Sequence, residues 1–167
     1  MNATIARVLL RILAVPMSIM LIVGIGFSMR NAKVDAHDAS DITVKIVGKT
    51  QYHDPDYPKY IGGCYCIDLE YEITNDTQAT LTYTTVITDV MNEDGEVVLT
   101  ITSGFTSSDG LELAPGESVT LTTSLNERLL EENAGFKVLY QENLDDLTFT
   151  YKIDGAIFSD GYIATIE

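Results

Sequence analysis

Two cysteines separated by one residue, Cys64 and Cys66, are the only thiols in this chain. Such a pair can close a disulfide, exchange disulfides or contribute to a metal site. Residues two apart on an extended strand stand about 6.6 Å apart at Cα, near the upper limit for a disulfide. A bridge there needs a bulge or a turn, and Gly62-Gly63 lies immediately upstream. A metal site would draw on Cys64, Cys66 and His53, which is one ligand short of a tetrahedral set. Three readings stay open: a strained local disulfide, free or intermolecularly paired thiols, and a metal centre. A strained bridge is easily reduced, so a thiol-redox or other envelope enzyme is one alternative function.

The residues just before the cysteines suit binding rather than catalysis. Residues 50–65 carry Pro55, Pro58, Gly62 and Gly63, which predicts a long loop. Tyr52, His53, Tyr57 and Tyr60 lie in it beside Asp54 and Asp56. Tyrosine offers a large contact area and loses little entropy on binding, so these four residues form the candidate binding set. The plainer reading is that the same rings cover an open end of the core.

Other chemistry lacks its signature. Asn92-Glu93-Asp94-Gly95 shares letters with a calcium loop, but Val90 breaks the acidic spacing and no closing Glu follows. The hydroxyl-rich stretch Ser103 to Gly110, read as a polar loop, holds no Gly-x-Ser-x-Gly elbow. No glycine-rich phosphate loop is present. The chain is therefore read as non-enzymatic, with no catalytic residue, metal or cofactor assigned. Asn75-Asp76-Thr77 is a glycosylation sequon, meaningful only in a eukaryotic secretory route.

The elements that would position these residues divide at a break in composition near Ala36. Ahead of it, Arg7 and Arg11 precede an uncharged apolar run, Ile12 to Phe27. Its 16 residues, extended to 12–29 by Ser28 and Met29, fall between a signal-peptide core of about 7–15 and a spanning helix of about 17–25. Residues 1–36 thus read as a signal peptide, with cleavage after Val34-Asp35-Ala36, or as an uncleaved N-terminal membrane anchor. Either way the remainder is secreted or held at the cell surface.

The chain carries 10 Lys+Arg and 25 Asp+Glu. Residues 1–36 hold four of the basic residues and one acid, so the rest has six basic and 24 acidic residues and a formal charge of −18. That surface repels phosphate backbones and argues against nucleic acid. It fits a soluble extracellular domain, a cationic partner or weak divalent-ion binding, and solubility alone is the plainest reading; the expected partner is a protein or cell-envelope component, with membrane contact through residues 12–29 if the signal is not cleaved.

Residues 37–41 read as a short polar linker, and 42–167 as one β domain. Ile42, Val44 and Ile46 predict a short first strand, and Tyr65, Ile67, Leu69, Tyr71 and Ile73 the clearest one. Residues 79–91 follow, with Leu81, Tyr83 and Ile87 expected on one face. Asp94-Gly95 marks a hairpin leading into Val97, Leu99 and Ile101. Leu113-Ala114-Pro115-Gly116 is a turn before Val119, Leu121, Thr123 and Leu125. Ser124-Leu125-Asn126-Glu127 has the letters of a capping box opening a short helix that stops at Gly135. Phe136, Val138 and Tyr140 then predict a strand. Another runs through Leu147, Phe149, Tyr151 and Ile153 to a turn at Asp154-Gly155. Seven to nine short strands with frequent turns indicate an antiparallel β-sandwich preceded by an N-terminal hydrophobic helix.

Residues 67–125 resemble the FxLYD-type immunoglobulin-like domain of bacterial secreted and membrane-anchored proteins. Asn75 closes a strand ending Tyr71-Glu72-Ile73-Thr74. Asp94-Gly95-Glu96-Val97-Val98 is similar to the family's Gly hairpin, and Leu113-Ala114-Pro115-Gly116-Glu117-Ser118 to its Leu-x-Pro-Gly-Glu turn. The name-giving positions depart from the pattern and read Thr88, Val90, Met91 and Asn92. The resemblance implies an all-β, immunoglobulin-like sandwich without enzymatic activity, and it supplies no site residues. The expected function is a non-enzymatic extracellular or cell-envelope interaction module. The alternative is a structural spacer or accessory domain of an envelope assembly.

Overall fold

Alternating apolar side chains give strands with one buried face, and two such faces close a core against each other. The computed structural model describes residues 37–59 and 62–165. Its strands are β1 (Ile42–Asp54), β2 (Cys64–Asn75), β3 (Leu81–Met91), β4 (Val97–Thr106), β5 (Ser118–Glu127), β6 (Thr148–Phe158) and β7 (Ile163–Thr165). One helix, α1 (Ala134–Gln141), lies between β5 and β6, and short 3-10 turns fill other connections. The strands form two antiparallel sheets, ordered β1-β2-β5 and β4-β3-β6-β7. The chain divides between Asp35 and Ala36. Residues 1–36, with the expected hydrophobic helix and signal, lie outside the described residues. Among the described residues no helix is long and apolar enough to cross a membrane.

The core lies between the sheets. Ile67, Leu69, Tyr71 and Ile73 of β2 are fully buried against Val86, Val90, Phe105 and Ile153. Two polar bonds cross the sandwich. Tyr71 Oη and Thr88 Oγ1 are 3.2 Å apart, and the Ile46 N–H donates to Tyr151 Oη at 2.9 Å. Where a sheet carries tyrosine into a core, its hydroxyl needs such a partner.

Several expected elements take another form. β1 does not stop at Ile46. Ile46 pairs with Tyr71 and Gly48 with Glu70, leaving Val47 as a bulge, after which pairing continues to Asp54 opposite Cys64. One extra residue reverses which side chains face inward, so Lys49, Gln51 and His53 lie opposite the buried-face residues Leu69, Ile67 and Tyr65. Within the expected 50–65 loop, residues 50–54 and 64–65 are therefore paired strand, and only the residues between Asp54 and Cys64 connect them. On β3 the buried residues are Leu81, Thr84, Val86, Thr88 and Val90, while Tyr83 and Ile87, expected on one face with Leu81, are half-buried. Residues 103–106 are not loop; they extend β4, with Ser103 and Phe105 buried. Asp154-Gly155 is not a turn: Thr85 pairs with Gly155 and Val86 with Ile153, so Asp154 bulges within β6.

The expected helix and strand around Gly135 exchange places. Ser124–Glu127 is the end of β5, paired with Tyr65–Asp68. Phe136, Val138 and Tyr140 belong to α1, because Asn133 caps it: its Oδ1 accepts the Phe136 N–H at 3.0 Å. Phe136 and Leu139, three residues apart, supply the buried stripe. Lys49 closes the other end, its Nζ donating to the Leu139 carbonyl at 2.8 Å and also to that of Glu142. A cation there also meets the negative end of the helix dipole.

Residues 37–41 are not a free linker. Ala39 is buried in the core within a 3-10 turn whose N-cap is Asp38. His37 stacks on Tyr162 at 4.2 Å, meets the edge of Phe158 at 5.0 Å and lies 2.7 Å from Asp160 Oδ2.

Candidate functional site

The β1–β2 hairpin end gathers most of the residues singled out in sequence and divides them between two faces. Tyr52 is opposite Cys66, His53 opposite Tyr65, and Asp54 opposite Cys64. Neighbours along a strand point to opposite sides of the sheet. Tyr52, Asp54, Cys64, Cys66 and Asp68 consequently share the outer face, and His53 and Tyr65 the inner one. Tyr57 is half-buried in the connecting turn, and Tyr60 lies outside the described residues. The four-residue binding set is thus not one cluster: Tyr52 and His53 serve different faces.

The inner side is an aromatic row. His53 and Tyr65 meet edge to face at 4.9 Å, Tyr65 and Tyr140 at 5.5 Å, and Tyr140 lies 6.2 Å from Phe136. Because α1 is capped by Asn133 and Lys49, Phe136 and Tyr140 are fixed over the hairpin. Burial raises the Tyr140 phenol above its ordinary value, and the Tyr65 phenol adds to the shift. This row is packing, and it takes His53 away from any metal set.

The outer side holds the thiols. Cys64 is fully buried and Cys66 nearly so, with the two sulfurs 3.2 Å apart and both cysteines free. Gly63, left-handed at φ 82°, packs closely on the Asp54 carbonyl and Pro55, which shapes the turn entering Cys64. Burial pushes the Cys64 thiol up to about 11, with the hydrogen bond to Cys66 adding to it. Tyr52 stands at the rim and is 42% exposed. The Asp68 carboxylate raises the Tyr52 phenol above its usual value, with lesser contributions from burial, Cys66 and Asp54. Asp68 is held by Ser124 Oγ, which donates to it at 2.6 Å. Among the described residues no group of three or more His, Cys, Asp or Glu is arranged to hold a metal.

Sequence reading missed Tyr65, Tyr140 and Lys49 as members of this region. Asp68 was legible from the alternation of β2, which places it on the cysteine face. The bulge at Val47 and the helix at 134–141 hid the others. A second cleft, lined by Asn92, Glu93, Val138, Glu142, Asp146 and Leu147, carries mostly acidic and amide groups and no nucleophile.

No protein-family model matches the chain, and no curated protein matches it significantly. Solved structures similar to the chain include the following two. Structural-genomics target SoR45 is 14% identical, with 77% of this chain and 83% of that one covered at a TM-score of 0.37. A protein from Bordetella pertussis, proposed to be ApaA, is 16% identical, with 76% and 89% covered at 0.35. Scores this low assign neither a family nor an activity.

Proposed function

We propose that this chain is a non-enzymatic interaction module of the cell exterior or envelope, an immunoglobulin-like domain of the FxLYD kind. Its N-terminal segment would act as a cleaved signal or as an anchor through residues 12–29. Strand order supports the immunoglobulin-like reading. An immunoglobulin sandwich sets its first, second and fifth lettered strands, A, B and E, against C, F and G, with C′ joining the second sheet in variable-type domains. Here β1-β2-β5 faces β4-β3-β6-β7, which corresponds strand for strand to A-B-E and C′-C-F-G.

The observation that carries the recognition reading is Tyr52. It is a large aromatic side chain, 42% exposed, on the outer face of a rigid hairpin next to the Tyr57 turn. Asp54 and Asp68 beside it set a negative field. A ring of this kind on a fixed strand loses little entropy on binding, and nearby carboxylates select a basic partner surface. The partner class is a protein or envelope component bearing Lys or Arg beside an apolar contact. Thiol-redox catalysis fits less well, because it needs an accessible thiolate of low pKa, and Cys64 is buried with its pKa raised.

The test is partner capture from envelope and secreted fractions by the full chain and by Tyr52→Ala. The recognition reading predicts a loss of at least about tenfold in captured partner at unchanged melting temperature, as for a hot-spot aromatic. Undiminished capture, or no specific capture by either form, would favour the spacer reading. An activity abolished by Cys64→Ser alone would favour the redox one.

A further inference from the structure

We propose that Cys64 and Cys66 close a disulfide within strand β2 and that folding then seals it as a structural bridge. The two side chains lie on one face and converge to 3.2 Å between sulfurs, closer than the regular spacing of a flat strand would place them. The backbone at this point has the freedom that a bridge requires. Two left-handed glycines, Gly62 and Gly63, precede Cys64. Cys64 is the first residue of β2 and pairs only with Asp54, since pairing to β5 begins at Tyr65. A small rotation at Cys64 therefore costs little sheet hydrogen bonding.

Burial sets the order of events. Attack on a disulfide requires a thiolate. In the folded domain both sulfurs are shielded, Cys64 fully and Cys66 nearly so. The bridge must then form while the hairpin end is still open. One cysteine thiolate attacks a disulfide donor such as glutathione disulfide, forming a mixed disulfide and releasing one glutathione thiolate. The second cysteine, as its thiolate, attacks the cysteine sulfur of that mixed disulfide and releases the second glutathione. Two protons leave the cysteines and end on the glutathiones. The two electrons of the cysteine pair pass to the donor, which is reduced to two glutathione thiols. Once the chain packs over the sulfurs, the reverse reaction lacks an accessible sulfur to attack.

The chemistry is testable without knowing where the protein resides. The reduced, unfolded full-length chain is refolded in detergent with a mixture of glutathione and glutathione disulfide. It is then denatured in N-ethylmaleimide and weighed intact. The proposal expects a species about 2 Da lighter than the reduced chain, carrying neither maleimide nor glutathione. Cys64→Ser refolded in parallel should take up one glutathione or one maleimide, whether or not it folds. In the bridged protein, dithiothreitol should reduce the native form roughly tenfold or more slowly than the denatured form. Two maleimides on the refolded wild-type chain, or a stable glutathione adduct, would overturn the bridge. Equal reduction rates in native and denatured protein would overturn its sealing.

Discussion

Asn75 shows how far a residue's chemistry depends on its surroundings. As part of Asn-Asp-Thr it carries a sequon, yet its amide is spent on structure. Nδ2 donates to the carbonyls of Ala79 and Leu113, each at 2.8 Å, and Oδ1 accepts from Thr77 Oγ1 at 2.7 Å. The side chain is fully buried, so the folded domain offers no nitrogen to a glycan. Asn75→Ala takes one donor from each of two carbonyls, which keep Thr77 Oγ1 and the Leu81 N–H as partners, and removes the acceptor of the Thr77 N–H and hydroxyl. It should cost about 2–3 kcal/mol, read as a fall in melting temperature on the order of 10 °C. A second residue-scale prediction concerns Asp160. The Tyr162 N–H, and then His37, hold its carboxyl below the ordinary 3.8. A depressed folded pKa contributes stability that is present above the ordinary value and lost as pH falls through the depressed one. The packing of His37 on Tyr162 should accordingly loosen only below about pH 4, seen as a change in the Tyr162 ring resonances. Asp160→Asn should remove that acid step.

The elements that were legible are those where one face is uniformly apolar. Tyr65, Ile67, Leu69, Tyr71 and Ile73 read as a strand and are one; Asp94-Gly95 and Ala114-Pro115-Gly116 read as turns and are turns. Gly95 takes φ 77°, and its N–H donates to the Asn92 carbonyl at 3.0 Å. What stayed hidden has physical causes. The bulge at Val47 breaks the alternation of β1, and its one mark in the sequence is the adjacent Gly48, which a strand pattern ending at Ile46 leaves outside. β3 buries Thr84 and Thr88, whose hydroxyls find Gly155 O and Tyr71 Oη, so polar letters stand on its core face. The α1 stretch Phe136, Val138, Tyr140 mimics strand spacing, and the decisive residue is the cap Asn133. Asn133→Ala should cost about 1 kcal/mol, while Asn133→Ser should retain most of the stability. Denaturant unfolding measures both, and faster amide exchange at Phe136 N–H should localise the loss to α1.

At the scale of the whole molecule, charge and architecture point the same way. A formal charge of −18 outside residues 1–36 sets a field that repels anionic polymers and attracts basic groups, which is the field the proposed partner would meet. The cysteines, the exposed Tyr52 and the acidic pair Asp54 and Asp68 all sit at one hairpin end, held by α1 on the inner side and by Ser124 of β5 on the outer. The candidate site was partly legible, since composition marked residues 50–65 as unusual. Its division into a packed aromatic face and an outward thiol–tyrosine face was not legible, because it follows from the register of β1 after the bulge at Val47.

The most direct measurement places a photoreactive phenylalanine derivative at position 52 of the full chain, and in a control at the exposed position 97 on the other sheet. Intact producing cells are then irradiated and treated with protease from outside. The account predicts one dominant cross-linked protein or envelope species from position 52, weak or absent from position 97, and degraded by the external protease. Equal cross-linking from both positions, none from position 52, or products protected inside the cell would contradict it.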